Sequence, residues 1–357
     1  MIGFVVGGIR SGRGVRSELN EGRAFFGVRT GSGMEARRCG RAQLTMVTAG
    51  GLSKVVVAGG SGFLGKYITR QLVNDGCDEV VVLSRSGKSS EVKAVTSEAW
   101  DPKDLTGSWV SVLNGADAVI NLCGELIIQP WTAAAKEKIT KSRLESTRSL
   151  VQAMSQIDVV ENRPRVFVSA SAVGFYGISD TEEFSESSPA GKDFLADLCV
   201  KWEAEAQKAN ELAIRTVIMR NGIILGRGGG ALGVMLPVFS FALGGTLGAG
   251  SQWVSWVTAT DAAAAYVNAA ESSAMVGAYN LTAPQPCSSK QMSDSLAAAL
   301  GRPALFPAPA FAIKAVLGEG STALLDGQKV LPDRLLADGF EFTSTNIADA
   351  MKTIVKA

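Results

Sequence analysis

Lys54–Ala58 (KVVVA) runs directly into Gly59-Gly60-Ser61-Gly62-Phe63-Leu64-Gly65, and this stretch decides the fold. The first five residues form a short apolar, β-branched run, which favours a buried strand. Apolar residues then recur at helical spacing over 64–73, and Val80–Leu83 (VVVL) is the next strand. Strand, glycine turn, helix and strand within about 30 residues are the context that a dinucleotide-binding βαβ unit requires.

The glycines at 59, 62 and 65 form the pattern G-x-x-G-x-x-G. Glycine allows a tight turn and a close approach of phosphate, and the N-terminus of the following helix offers unpaired N–H donors. The pattern therefore predicts a pyrophosphate site, the alternative being a glycine turn that only packs a helix on a sheet. The cofactor-binding residues predicted in this turn are Gly59, Gly60, Ser61, Gly62, Phe63, Leu64 and Gly65.

The end of the second strand discriminates between the two nicotinamide dinucleotides. An NAD site usually has Asp or Glu about 20 residues after the glycines, where it holds the ribose 2′-hydroxyl. Ser84 and Arg85 stand there instead. A guanidinium binds a 2′-phosphate through two N–H groups, and a serine hydroxyl adds a donor. The sequence favours NADP(H), the alternative being that Arg85 is a solvated loop cation.

Further strands and helices alternate along the chain. Strands are predicted at Ala118–Leu122 (AVINL), Arg165–Ser169 (RVFVS) and Arg215–Met219 (RTVIM), with helices at Ala133–Met154 and Phe194–Asn210. This alternation predicts an α/β fold, a doubly wound parallel sheet of the Rossmann type.

Ligands of open α/β sheets bind beyond the carboxyl ends of the strands. We therefore expect Leu122, Cys123 and Gly124 to run beside the cofactor. Cys123 is interpreted as a small packing residue, the alternative being a redox thiol. On the next helix, Lys138 and Arg143 lie five residues apart, on broadly similar faces. We expect one of them to reach a phosphate or ribose of the cofactor, the alternative being that both belong to a solvated cationic face.

Composition excludes several classes of function. The 357 residues are 46% apolar and 19% charged, which excludes disorder over the whole length. A net charge of +1 argues against a nucleic-acid partner. The absence of histidine removes Ser-His-Asp and Cys-His catalysis and His-ligated metals. Five scattered cysteines without a C-x-x-C pair argue against a disulfide framework or a zinc site, so no metal is predicted.

Residues 1–50 differ from the rest of the chain, with eight Arg, no Lys, three Glu and eleven Gly. A tract rich in Arg, Gly and Ser and poor in acids has the composition of an organelle transit peptide. The alternative is a disordered or mis-started N-terminus. The expected destination is the plastid (chloroplast), with the mitochondrion as the alternative.

No charge occurs in residues 228–260. A membrane span needs about 20 mostly apolar residues, and the eight glycines here argue against one. We expect instead a buried helix around Leu232–Leu243 and a glycine-rich loop, together a cleft-forming insert near 228–256. Phe239, Trp253 and Trp256 suggest a partly aromatic, uncharged cleft, although core packing would explain them equally well.

The order of motifs resembles the extended short-chain dehydrogenase/reductases, and most of all their atypical 39U subgroup, described as epimerase family proteins. The matching stretches cover nearly everything after residue 53. They are GGSGFLG (59–65), LSR (83–85), NLCGE (121–125), SRLEST (142–147), SASAVGFYG (169–177), FLADLCVKWE (194–203), MRNGIILGRGGGAL (219–232), GAYNLTAP (277–284) and LLDGQKVLPDRLLADGFEF (324–342). The resemblance implies an NAD(P)-binding Rossmann domain over 53–285 and a small C-terminal domain over 286–357.

The resemblance also implies an NADP(H) site. By motif position, its residues are the glycine turn, Ser84, Arg85, Leu122, Cys123, Arg143, Ile224 and, at a weakly matching position, Lys138. The subgroup usually has a His in the stretch that reads WVTATD (256–261) here, so this chain does without it.

Catalysis is where the chain departs from the family. Family reductases use Y-x-x-x-K, in which the tyrosine is the acid/base and the lysine lowers its pKa. None of the four tyrosines has a lysine four residues on, and counting back from Glu203 the pair falls on Leu195 and Cys199. The remaining candidates are Ser171, to orient a carbonyl, and Tyr176, to replace the acid. Alternatively, Ser171 only caps a turn and Tyr176 only lines the cleft.

Two functions follow from these residues. The first is an NADP(H)-dependent oxidoreductase or epimerase-like enzyme acting on an unassigned small molecule. The second is an NADP(H)-binding regulator or scaffold in an organelle, with lapsed chemistry and a protein partner. The sequence leaves both open.

Overall fold

The computed structural model describes residues 51–88, 92 and 94–356. The predicted transit peptide, residues 1–50, lies outside the described residues. The strands are β1 (Lys54–Ala58), β2 (Glu79–Ser84), β3 (Val95–Ala99), β4 (Ala118–Asn121), β5 (Val166–Ala172), β6 (Glu183–Phe184), β7 (Arg215–Asn221), β8 (Ile223–Leu225), β9 (Trp253–Val254), β10 (Trp256–Thr258), β11 (Gly277–Leu281), β12 (Cys287–Ser288) and β13 (Lys329–Val330). The α-helices are α1 (Phe63–Asn74), α2 (Ala133–Ser155), α3 (Phe194–Gln207), α4 (Gly230–Ser240), α5 (Ala259–Glu271), α6 (Ser289–Leu300), α7 (Ala310–Leu317), α8 (Thr322–Leu325), α9 (Asp333–Ala337) and α10 (Ile347–Lys356).

The main sheet has seven strands in the order β3-β2-β1-β4-β5-β7-β11. All of its neighbouring pairs are parallel, with Val55 opposite Val80 on one side and Ala118 on the other. The strand order reverses between β1 and β4, which opens a crevice at the carboxyl ends of these two strands. The predicted doubly wound parallel sheet is confirmed.

Helical layers cover both faces of this sheet. In β1, Val55 and Val57 pack into the core cluster that includes α1 and α5, whereas Val56 and Ala58 pack into the cluster on the opposite face. All four residues are fully buried. Burial on both faces explains why this strand is a continuous apolar run rather than an alternating one.

The predicted helices are present with small differences at their ends. The predicted helix at Ala133–Met154 is α2, which ends one residue later, at Ser155. Helix α3 ends at Gln207, and a 3-10 segment, Lys208–Leu212, follows it. Sequence reasoning missed both edge strands of the main sheet, β3 and β11. The sequence of β3, VTSEA, has little of the apolar character of the central strands.

The uncharged segment was predicted to contain a buried helix, and this is wrong for α4. Only Leu232 and Phe239 of α4 are buried, whereas Val234 is 73% exposed. The helix is apolar all round, so periodicity does not show which side meets the core. Phe239 and Trp256 belong to a core cluster, which favours the packing interpretation of both residues. Within the described ranges, no helix is long and apolar enough to cross a bilayer.

The C-terminal residues pack on the sheet domain through polar contacts. Asp261 of α5 accepts hydrogen bonds from Thr343 and Ser344, and Arg334 of α9 donates to the Ala278 carbonyl at 2.6 Å. Strand β13 pairs in parallel with β6. At the carboxyl end of β11, Asn280 donates to the Leu331 carbonyl at 2.9 Å and Thr282 donates to the Val330 carbonyl at 3.1 Å, so residues 330–331 lie at this edge of the sheet. The boundary at 285/286 stays a prediction.

Candidate cofactor site

The turn after β1 depends on glycine at two positions. Gly59 has φ +78°, a conformation that L side chains rarely adopt, and its N–H donates to the Leu83 carbonyl at 2.9 Å. A Cβ atom on Gly65 would stand 2.5 Å from the Gly60 Cα. Gly59 therefore makes the turn, and Gly65 allows α1 to begin directly against it.

Among the residues that the structure describes, no side chain caps the N-terminus of α1. Gly62 is the N-cap residue in extended conformation, and the first turn of the helix has no acidic residue. The first N–H groups of a helix lack intrahelical acceptors and carry a positive dipole end. The turn thus fits a diphosphate, because the helix start offers N–H donors and four of the seven residues of the turn are glycines.

Ser84 and Arg85 lie at the end of β2, beside this turn. The Ser84 Oγ accepts from the Gly87 N–H at 3.2 Å, which leaves its hydroxyl hydrogen free for another acceptor. Burial raises the pKa of the Cys123 thiol to about 12, and the nearby positive charge of Arg85 opposes that rise. Arg85, itself exposed, is therefore close enough to the end of β4 for its charge to act on Cys123.

The end of β4 runs along the other side of the turn. Leu122 N–H donates to the Ala58 carbonyl at 2.9 Å, and the Asn121 Oδ1 accepts from the Cys123 N–H at 3.1 Å. A Cβ on Gly59 would stand 3.3 Å from the Cys123 Sγ. The structure thus brings Leu122 and Cys123 to the turn, and the raised pKa of Cys123 fits a packing residue rather than a reactive thiol.

The two predicted cations of α2 have different surroundings. The Arg143 guanidinium lies against Gly124, where a Cβ would stand 2.9 Å from its Cζ, and 5.2 Å from the centre of the Trp202 ring. Lys138 is 66% exposed and its Nζ lies 3.2 Å from the Glu125 Oε2. Arg143 therefore packs against the loop that follows β4. Lys138 instead forms a solvent-exposed ion pair with Glu125 of the same loop.

A second glycine-rich loop closes against the start of α1. The Phe63 ring fills the space where a Cβ on Gly229 would be, at 2.7 Å, and Tyr67 donates to the Arg227 carbonyl at 3.1 Å. The Ile224 carbonyl would lie 3.0 Å from a Cβ on Gly230 in the same loop. The Ile224 carbonyl and the Phe63 ring thus border the same glycine, and a cofactor contact of Ile224 stays a prediction. The contact of Tyr67 was missed because its partner is 160 residues away.

Ser171 is bound into a buried charge network. It lies at the end of β5, is 2% exposed, and its Oγ donates to the Glu203 Oε1 at 2.6 Å. Arg220 binds both oxygens of Glu203, each at 2.9 Å. Sequence reasoning placed Glu203 and Arg220 in two separate motifs and did not find them as a pair, because they are 17 residues apart and meet only through packing.

Tyr176 lies at the other end of the same network. Its hydroxyl donates to the Asn280 Oδ1 at 2.6 Å and accepts from Arg220 at 2.9 Å, and the residue is 3% exposed. Burial raises the pKa of Tyr176, and the positive charge of Arg220 opposes this. Both predicted catalytic hydroxyls are thus held by protein groups, and their catalytic role stays a prediction.

The positions of the family's tyrosine and lysine hold no proton donor for neutral pH. Leu195 packs against Gly174, where a Cβ would meet it at 3.2 Å. Cys199 is buried, and burial raises its pKa to about 12. Among the described residues, no group of three or more His, Cys, Asp or Glu could hold a metal ion.

Comparison with known proteins gives the family. Residues 55–282 match the model of the NAD dependent epimerase/dehydratase family. This chain belongs to that family. Residues 308–354 match a domain of unknown function, DUF1731, within the predicted C-terminal domain.

Relatives of this family member share most of its length. It is 39% identical over 309 residues to the epimerase family protein SDR39U1 homolog, chloroplastic, of Arabidopsis thaliana, covering 85% of this chain and 86% of that protein. Human SDR39U1 is 36% identical over 307 residues, covering 85% and 99%. These matches confirm the resemblance to the 39U subgroup.

Solved structures show the same fold. The crystal structure of human SDR39U1 (isoform 2) with NADPH has a TM-score of 0.75 and 33% identity, covering 85% of this chain and 99% of that one. The nucleoside-diphosphate sugar epimerase of Corynebacterium glutamicum has a TM-score of 0.68 and 28% identity, covering 85% and 58%.

Proposed function

We propose that this protein binds NADP(H) along the carboxyl edge of its sheet. The observation that carries the proposal is the uncapped N-terminus of α1 behind a glycine turn, with Arg85 where an NAD site has a carboxylate. The crystal structure of the human relative with NADPH supports it. The proposed binding residues are Gly59, Gly60, Ser61, Gly62, Phe63, Leu64, Gly65, Ser84, Arg85, Leu122, Cys123, Gly124, Lys138, Arg143 and Ile224.

Titration of the protein with NADPH and with NADH tests this proposal. We expect NADPH to bind more tightly, and Arg85→Gln to remove about tenfold of that preference, because a bidentate bond to the 2′-phosphate is lost. Arg70→Gln removes an exposed cation further along α1 and serves as the control. Equal affinity of the wild-type protein for both cofactors would contradict the assignment of Arg85.

The cofactor's use is a separate question, and the geometry favours the regulator or scaffold over the oxidoreductase. The Ser171 hydroxyl donates a hydrogen bond to Glu203, and the Tyr176 hydroxyl donates one to Asn280. Leu195 and Cys199 of α3 stand where the tyrosine and lysine of a Y-x-x-x-K pair are expected. We therefore expect that no compound in a broad panel of carbonyl compounds oxidises bound NADPH, as measured by an unchanged NADPH absorbance.

The oxidoreductase stays the second candidate because of Arg143. Its half-buried guanidinium beside Gly124 is a cation that could polarise a carbonyl at the carboxyl edge of β4. On this alternative, some carbonyl compound oxidises NADPH, and Ser171→Ala slows that reaction at least tenfold (about 1.4 kcal/mol).

A regulator needs a surface for a protein partner. Large apolar side chains are exposed near the end of α4 and on α7, where Phe241 is 78%, Phe311 76% and Val316 70% exposed. A contiguous exposed apolar patch marks an interaction site, so we propose these two helices as the partner surface. We expect NADPH-loaded and empty protein to retain different partners in a pull-down, and identical sets would count against the regulator.

For location, we propose the plastid. The name of the Arabidopsis relative includes the word chloroplastic, and residues 1–50 have transit-peptide composition. Residues 1–50 fused to a fluorescent protein should direct it to plastids. Delivery to mitochondria would establish the alternative.

A further inference from the structure

Arg143 has fewer partners than three other arginines that are buried or half-buried. Arg215 donates to three main-chain carbonyls, Arg220 binds Glu203 and Tyr176, and Arg334 binds two carbonyls and a tyrosine. Arg143 donates once, to the Ile139 carbonyl of its own helix at 3.1 Å. A guanidinium has five N–H donors, so among the described residues four donors of Arg143 have no acceptor.

The positive charge of Arg143 is also uncompensated. Burial lowers its pKa, and the nearby Cys199 and Glu125 oppose this effect. The Glu125 carboxylate, however, is paired with the Lys138 ammonium at 3.2 Å. Cys199, with a pKa of about 12, is a neutral thiol at neutral pH. Arg143, Glu125 and Lys138 together therefore leave one net positive charge beside Gly124.

The position of this charge along the sheet indicates which half of the cofactor it meets. The diphosphate site lies between β1 and β4, and Arg85 at the end of β2 marks the adenosine side. In a doubly wound sheet the two halves of a dinucleotide lie on opposite sides of this crevice. The nicotinamide half therefore belongs over β4 and β5, the side on which Arg143 and Cys199 lie.

Resting on the proposed NADP(H) site, we propose that Arg143 binds the nicotinamide half and makes the protein prefer NADPH over NADP⁺. The oxidised nicotinamide ring carries a positive charge, and the reduced ring is neutral. A fixed, half-buried guanidinium repels the first and not the second, while its free N–H groups bind ribose or phosphate oxygens. Arg143 thus supplies the cation that Cys199, in the position of the family's lysine, does not.

Dissociation constants for NADPH and NADP⁺, measured on the full chain by calorimetry, test this proposal. We expect the wild-type protein to bind NADPH about tenfold more tightly, the effect of two like charges several ångströms apart in a partly screened site. Arg143→Gln should bring the ratio close to one, mainly by strengthening NADP⁺ relative to NADPH. Arg143→Lys keeps the charge and should keep most of the preference.

Lys141→Gln is the matched control. It removes a cation from the same helix, but Lys141 is 58% exposed and already paired with Glu137 at 2.6 Å. The ratio should not change. If Arg143→Gln does not fold, Arg143→Met, which keeps the aliphatic stem beside Trp202, replaces it in the same measurement.

Two results would overturn the proposal. One is equal affinity of the wild-type protein for NADPH and NADP⁺. The other is an equal loss of both affinities in Arg143→Gln, which would place the guanidinium on the diphosphate alone. Binding of neither nucleotide to the wild-type protein is a different result, because it would refute the proposed NADP(H) site itself.

Discussion

Two neighbouring regions of the carboxyl edge use their polar groups in opposite ways. Around the glycine turn and the end of β4, within the described ranges, the N-terminus of α1 has no side-chain cap and Arg143, beside Gly124, leaves most of its donors without an acceptor. At the ends of β5 and β7, Ser171, Glu203, Arg220 and Tyr176 satisfy one another. The first region has the chemistry of a binding site, and the second that of a structural support. The difference is that, among the described residues, the first region leaves polar groups without a protein partner, whereas the second pairs its polar groups with one another.

The largest effect on the free energy of unfolding is expected from breaking the buried Glu203–Arg220 ion pair. Arg220→Met leaves the Glu203 carboxylate buried without its partner, the pair being 7% and 6% exposed. Removing one member of a buried ion pair costs about 3–5 kcal/mol. Urea unfolding should show a loss of this size. Lys201→Met, which breaks an exposed pair with Asp197 on α3, should cost less than about 1 kcal/mol; similar losses in both variants would mean that the network is not a support.

A smaller effect is expected from breaking the turn. Gly65→Ala places a Cβ against the Gly60 backbone, so the start of α1 must shift. Overpacking of this kind costs about 1–3 kcal/mol, and the shift should also weaken NADPH binding at least tenfold (about 1.4 kcal/mol). Gly233→Ala in α4 meets nothing within 4 Å and is the control. Unchanged NADPH affinity in Gly65→Ala would show that the turn does not hold the diphosphate.

The smallest effect sharpens the assignment of Tyr176. Tyr176→Phe removes one hydroxyl between Arg220 and Asn280, and a buried hydrogen-bond partner left unpaired costs about 1–3 kcal/mol. Chemical denaturation should show a loss near the lower end of this range, because Arg220 keeps Glu203. NADPH affinity should not change. A fall in affinity larger than the fall in stability would place Tyr176 in the binding site.

Local elements were predictable from the sequence, and the reason is visible in β1 and α1. Val55–Ala58 and the glycines act over a few residues, so apolar runs and glycine spacing are enough to find strand, turn and helix. The same reasoning failed for α4, because a helix that is apolar all round does not show which face meets the core. It also missed β3, whose sequence is that of an edge strand with polar neighbours.

The sequence by itself determined the βαβ unit, the alternation of the central strands with helices, and the presence of Leu195 and Cys199 where a Y-x-x-x-K pair is expected. Only the tertiary structure decided which groups accept hydrogen bonds from the hydroxyls of Ser171 and Tyr176. Their acceptors, Glu203 and Asn280, lie 32 and 104 residues away along the chain. A sequence motif can place a hydroxyl at the edge of a sheet. Its hydrogen-bond partner depends on distances and angles that only tertiary packing sets.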